Sequence, residues 1–167
     1  MINCSRRVQI SLFALLAALL VPATALVQPV AHCSALITDA EVTKAVGTAM
    51  RAMGSDERGK GTTECKWMLA GQGAFKTLFV GLETLASQSV TSTGSVDKLF
   101  ELYVSTAEEQ GKSKRTALPG VGQKAAIIAV SEQTQTIIQR TDGVVKIVSN
   151  GLTRAQITAL AQDVMTP

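Results

Sequence analysis

Residues 115–149, RTALPGVGQKAAIIAVSEQTQTIIQRTDGVVKIVS, decide the fold. LPGVG at 118–122 suits either a turn between two helices or a turn feeding a strand. A helix through residues 125–140 would show an apolar residue at each turn. Instead residues 125–130 are apolar all round and SEQTQT, 131–136, is polar all round. No 3.6-residue stripe crosses both. Upstream, Arg115 stands three residues before Leu118, where a preceding helix would bury an apolar side chain. A hairpin fits better: residues 125–130 form a buried strand, SEQT turns, and 135–140 return. Asp142-Gly143 then reads as a two-residue turn, with Gly supplying positive φ, before a third strand at 144–149. Pro119-Gly120 suits a type II turn leading into the first of these strands.

The competing reading is a helix-hairpin-helix. There the LPGVG amides bind a phosphate of DNA with the help of a helix N-terminus. It needs helices on both flanks, and the pattern supplies neither. What survives is a small basic patch beside a Gly-rich loop. Lys112, Lys114, Arg115, Gly120, Gly122 and Lys124 are the weak anion-binding candidates, set against a solvated linker.

The remaining segments extend the pattern outward. Thr38-Asp39-Ala40-Glu41 is a capping box, with Ile37 and Val42 spaced as a hydrophobic staple. It predicts a helix over 39–46, ended by Gly47. RAMGSDERGKGTT, 51–63, reads as a solvated loop. ECKWML, 64–69, reads as a strand, 70–73 as a turn, and 74–85 as a second strand. Cys65 and Trp67 are two apart and share a face, so Trp67 reads as a buried aromatic beside Cys65. SQSVTSTG is a polar connector. Ser95 caps a helix over SVDKLFELYVSTAEEQ whose Val96, Leu99, Phe100, Tyr103, Val104 and Ala107 form one apolar stripe, and Gly111 stops it. Glu101, Glu108 and Glu109 read as a solvated face of this helix. Thr153-Arg154-Ala155-Gln156 is a second capping box, opening a helix with Ile157, Leu160, Ala161 and Val164 on one side.

The N-terminus gives the address. Arg6 and Arg7 precede a short apolar run at 10–21, Pro22 ends it, and Ala23-Thr24-Ala25 is a small-x-small cleavage signal. This is the pattern of a secretory signal peptide over residues 1–25, leaving 26–167 as a single domain. The run is shorter than the roughly 20 residues that span a bilayer, and nothing downstream reads as a transmembrane span. Removing Arg6 and Arg7 takes the net charge from +3 to +1. A nearly neutral domain lacks the electrostatic footprint of a nucleic-acid binder. Cys4 leaves with the signal. Cys33 and Cys65 remain as an even pair in an exported chain, for which a disulfide is the expected state, two buried thiols being the alternative. Lipid anchoring at Cys33 is a further alternative, weakened by His32 where a lipobox needs Gly, Ala or Ser. His32 is the only histidine, so a Cys/His zinc site falls short of ligands. No cofactor or metal is expected.

The order of these features resembles a family of small exported bacterial domains of unknown function, often lipoproteins. The matching pieces are Cys33, ITDAEV at 37–42, CKW at 65–67, LPGVGQKA at 118–125 and TRAQITALAQDV at 153–164. The resemblance implies an α+β fold with a Cys33–Cys65 bridge, and no catalytic residues. The expected architecture is α+β in the order α-β-β-α-β-β-β-α. It comprises about five strands in a mainly antiparallel sheet, with three helices covering one face. The expected function is an exported, non-enzymatic binding or envelope-associated domain, with an unknown protein or small-molecule partner. The alternatives are an extracytoplasmic DNA-binding protein using LPGVG, and a hydrolase whose acidic site assembles from distant residues.

Overall fold

The structure is a computed structural model that describes residues 33–56, 59–69 and 76–165. The signal-peptide segment, Cys4, His32 and the turn expected at 70–73 lie outside the described residues. The chain forms one seven-stranded, wholly antiparallel sheet with helices on both faces. Along the chain the elements are α1 (Cys33–Leu36), α2 (Asp39–Val46), β1 (Met50–Asp56), β2 (Thr62–Leu69), β3 (Thr77–Thr84), α3 (Gln88–Thr93), α4 (Val96–Gly111), β4 (Thr116–Ala117), β5 (Lys124–Val130), β6 (Gln133–Gln139), β7 (Gly143–Asn150) and α5 (Arg154–Asp163). The strand order is β1-β2-β3-β7-β6-β5-β4. Two meanders, one from each half of the chain, join edge to edge where β3 pairs with β7.

The α+β class and the antiparallel sheet match the expectation. The counts of five strands and three helices do not: among the described residues there are seven strands and five helical segments, α1 being a single turn. Residues 51–63 are not simply a loop, because most of them build β1 and the start of β2. β1 is an edge strand with a bulge between Ala52 and Gly54. It buries only Met50 among its first four residues, and Met53 is 60% exposed. An edge strand that buries so little shows no period-two pattern, and bulges are a common guard against edge pairing. SQSVTSTG is likewise not a plain connector. The buried Ser87 accepts from the Val90 amide and caps α3, which seats Val90 in the core.

The helices lie on both faces, not one. Alternate residues of the central strands serve two cores, as the pleat requires. Val80, Ile138, Val145 and Ile147 meet α2 and α5 on one side. Ala126, Ile128, Ile137 and Val144 meet α3 and α4 on the other. Residues 125–128 read as part of a continuous apolar run because their alternate side chains pack into the two cores.

Both capping boxes form, and a cap of this kind is worth about 1 kcal/mol. The second does more than end a helix: Gln156 Oε1 accepts from the Thr153 amide, and its Nε2 donates to the Val46 carbonyl, clasping α5 to the end of α2. Cys33 and Cys65 stand in disulfide geometry, with Cα atoms 5.7 Å apart. Trp67 is fully buried on the same face as Cys65, and its Nε1–H donates to Asp39 Oδ1 at 2.7 Å, tying β2 to the first turn of α2.

Two glycines work differently from the expectation. Gly111 lies inside α4; Lys112, with φ 49°, is the left-handed cap. A Cβ on Gly111 would fall 2.1 Å from the Ala129 carbonyl, so the residue is small because β5 passes close by. Gly143 does not supply positive φ. The turn centres on Thr141-Asp142, closed by the Arg140 amide on the Gly143 carbonyl. The Arg140 guanidinium grips both Asp142 oxygens, at 2.7 and 2.8 Å. A Cβ on Gly143 would sit 2.1 Å from the Glu83 carbonyl.

Candidate functional site

LPGVG enters a strand, as the hairpin reading expects. β4 precedes it and β5 follows it, so the two flanking helices of a helix-hairpin-helix are absent. Gly120 has φ 80° and points into open space, consistent with the Pro-Gly turn. Leu118 and Val121 are buried in the α2/α5 core, so the loop is a packed corner. Gly122 (φ 59°) passes against the Gln139 carbonyl, which accepts from the Gln123 amide.

The basic candidates do not converge on a shared anion site. Arg115 reaches back to α4, with Nη1 2.8 Å from Glu101 and Nη2 3.1 Å from Glu108. Its guanidinium, through its side-chain hydrogen bond, holds the Glu108 carboxyl below the usual range. Glu101 and Glu108 are thus the docking points of Arg115. Lys124 pairs with Asp97 and lies over the Phe100 ring. Lys112 caps α4, and Lys114 is exposed.

The site that the fold does build lies elsewhere. α4 packs over β5, β6 and part of β7, and leaves the same face of β2 and β3 open. Beside α4 the sheet floors a groove of about 220 Å³. The strand register sets out its floor in rows. Thr62, Glu83 and Val144 form one row; Glu64, Gly81 and Lys146 the next; Phe79 and Val148 the third, with Lys66 in register beside them but outside the lining. Tyr103 of α4 is the wall. Gly81 is what makes the floor hollow. A Cβ there would meet its nearest neighbours at 3.7–3.9 Å, ordinary contact, so the ladder has room for a side chain and carries none. A glycine inside a strand often marks close approach by another group.

Tyr103 organises the charges. Its hydroxyl donates to Glu83 Oε1, and Ser87 Oγ lies 3.4 Å from Glu83 Oε2. Lys146 Nζ lies 5.7 Å from the centre of the Tyr103 ring, within cation–π range. Burial, and then the bond to Glu83, push the Tyr103 phenol well above its ordinary value. It stays a neutral donor across the physiological range. On the outer row, Lys66 lies over Phe79 at 5.1 Å.

None of these residues stood out in the sequence as a site. Tyr103 read as part of the apolar stripe of α4, and Glu83 and Lys146 as strand residues. The one local signal was Gly81 inside a strand-forming run. Among the described residues no group of three or more His, Cys, Asp or Glu is placed to hold a metal ion. No helix among them is long and apolar enough to cross a membrane. No protein family, curated protein or solved structure matches this chain.

Proposed function

We propose that this is an exported, non-enzymatic binding domain of the cell envelope, whose ligand sits in the groove between Tyr103 and the open half of the sheet. One observation carries the reading: the floor lacks a side chain at Gly81 while apolar and polar groups converge around it. Concave sites of this kind, mostly apolar with a few placed polar groups, are where small ligands bind. The address rests on the sequence of residues 1–25, and the likeness to small exported domains rests on the order of short motifs.

The hydrolase reading has a specific observation behind it too. Glu64 and Glu83 are diagonal neighbours on the groove face. Glu83, however, is engaged by two hydroxyls and braces α4 against β3. That is a positioning role, and it favours binding over acid–base chemistry.

The test is a fragment screen by ¹⁵N chemical-shift perturbation, repeated on Gly81→Leu. Fragments should move the amides of residues 79–83, 103 and 144–148. They should lose that effect in Gly81→Leu, whose side chain fills the groove without disturbing the ladder. Hits that ignore the substitution would sink the proposal. The address is tested by the intact mass of the secreted chain, expected to begin at Leu26.

A further inference from the structure

The groove sets an apolar centre inside a polar rim. Gly81 and Val148 lie at the centre, and Thr62, Glu64, Glu83, Gln133 and Lys146 stand around it. Glu64 and Glu83 bring two carboxylates to this face; Lys146 and, just outside the lining, Lys66 bring two ammoniums. Glu64 lies across Gly81 from Lys146 and has an interaction of its own. We propose that the groove binds an uncharged polyhydroxy ring, a single pyranose unit of a saccharide, its C–H face on Gly81 and Val148 and its hydroxyls on the rim. This rests on the groove being the binding site.

The chemistry of the rim selects that occupant. A charged ligand meets like charge as well as opposite here, and gives up its hydration for little net attraction. A cation or a flat aromatic ring also competes with the protein's own lysines for the ring faces, since Lys146 lies 5.7 Å from the centre of Tyr103 and Lys66 5.1 Å from that of Phe79. A purely apolar ligand strips water from carboxylates and ammoniums and returns no hydrogen bond. A hydroxyl both donates and accepts, so a polyol serves both kinds of group, through bonds that their charge strengthens. Glu83 already takes hydroxyl partners, from Tyr103 and Ser87. A pyranose carries such groups around its equator and C–H bonds on its faces, which is the layout of the groove. The volume, about 220 Å³, falls below the roughly 300–1,000 Å³ of sites for drug-sized molecules, so one ring is held.

The experiment titrates the ¹⁵N-labelled protein with the methyl glycosides of glucose, galactose, mannose and N-acetylglucosamine. Glucosamine and glucuronate present the same ring with one charge, and cyclohexanol a six-membered ring with one hydroxyl. At least one neutral glycoside should shift the amides of Gly81, Tyr103 and Lys146. It should bind more tightly than glucosamine or glucuronate, and at least about tenfold more tightly than cyclohexanol, the worth of one hydrogen bond to a charged group. In Lys146→Met its affinity should fall by about tenfold, again one such bond, while that of cyclohexanol stays unchanged. A folding defect would lower both together. The assignment is overturned if a charged sugar or cyclohexanol matches the best neutral glycoside, or if the glycosides shift another surface. If cyclohexanol or other uncharged fragments move the groove amides and the glycosides do not, the saccharide is wrong and the groove stands. If nothing moves them, both fail.

Discussion

Breaking the Cys33–Cys65 bridge should cost this fold a large part of its stability. The bridge closes a loop with a sequence separation of 32 residues. That loop holds α1, α2 and β1, together with the start of β2. Apart from the bridge, this segment is held by the edge pairing of β1, by the Trp67 bond to Asp39 and by α2 against α5, including the clasp of Gln156 on Val46. In the chain-entropy treatment, a loop of this length restrains the unfolded chain by about 3.7 kcal/mol. For a domain of this size that corresponds to a fall in melting temperature of roughly 10–15 °C. The assay is thermal unfolding followed by circular dichroism, on the oxidised protein, the reduced protein and the Cys33→Ala/Cys65→Ala variant. Thiol labelling confirms the redox state in each. Alanine is the better substitute because Cys65 is 1% exposed and a serine hydroxyl would be buried there. The reduced and doubly substituted proteins should agree within a few degrees. A shift below about 3 °C in both would refute the reasoning. It would mean either that the bridge does not form or that the unfolded chain already holds this segment together.

Three further outcomes follow from single contacts. Gly143→Ala and Gly111→Ala should each destabilise by more than about 2 kcal/mol in urea unfolding, because the new Cβ meets a backbone carbonyl. Gly120→Ala, in open space at φ 80°, should cost only about 1–2 kcal/mol; the reverse ranking would disprove the assigned roles. Glu41 is held below its ordinary carboxyl value by its hydrogen bonds to the Thr38 backbone and side chain. Its contribution is present above the unfolded value near 4.5 and lost as pH falls through the lower folded one. Urea midpoints measured from pH 6 to pH 3 should therefore fall more steeply for the parent protein than for Glu41→Gln. Finally, affinity for duplex DNA and for inorganic phosphate should be negligible even at low salt, because Arg115 and Lys124 are committed to α4. Tight, steeply salt-dependent binding would reverse that assignment.

Local physics explains which parts were legible in advance. Thr38–Glu41 and Thr153–Gln156 announce helix starts because a capping box is complete within four residues. The apolar stripe of α4 is visible because 3.6-residue periodicity needs no partner to be seen. The hairpin at 124–139 is visible because a run apolar on both sides, then polar, cannot be one amphipathic helix. β1 was hidden for the opposite reason. A bulged edge strand owes its state to the backbone of β2, not to its own side chains. Gly111 and Gly143 were visible as glycines, but their reason, a neighbouring carbonyl, was not.

The sequence by itself pointed to α2, α4 and α5, to the antiparallel habit and to Cys33 with Cys65 as the expected pair, since each follows from spacing along the chain or from the number of cysteines. Only the tertiary structure decided that β3 pairs with β7. That contact joins segments about 65 residues apart, and its register is set by apolar faces matching across the sheet. The groove depends wholly on it. Gly81 lies beside Lys146 only because β3 and β7 meet, and Tyr103 becomes a wall only because α4 stops short of β2 and β3. The opening stretch therefore supplies the strands of half the sheet, and the other half turns one of them, β7, into the floor of a site.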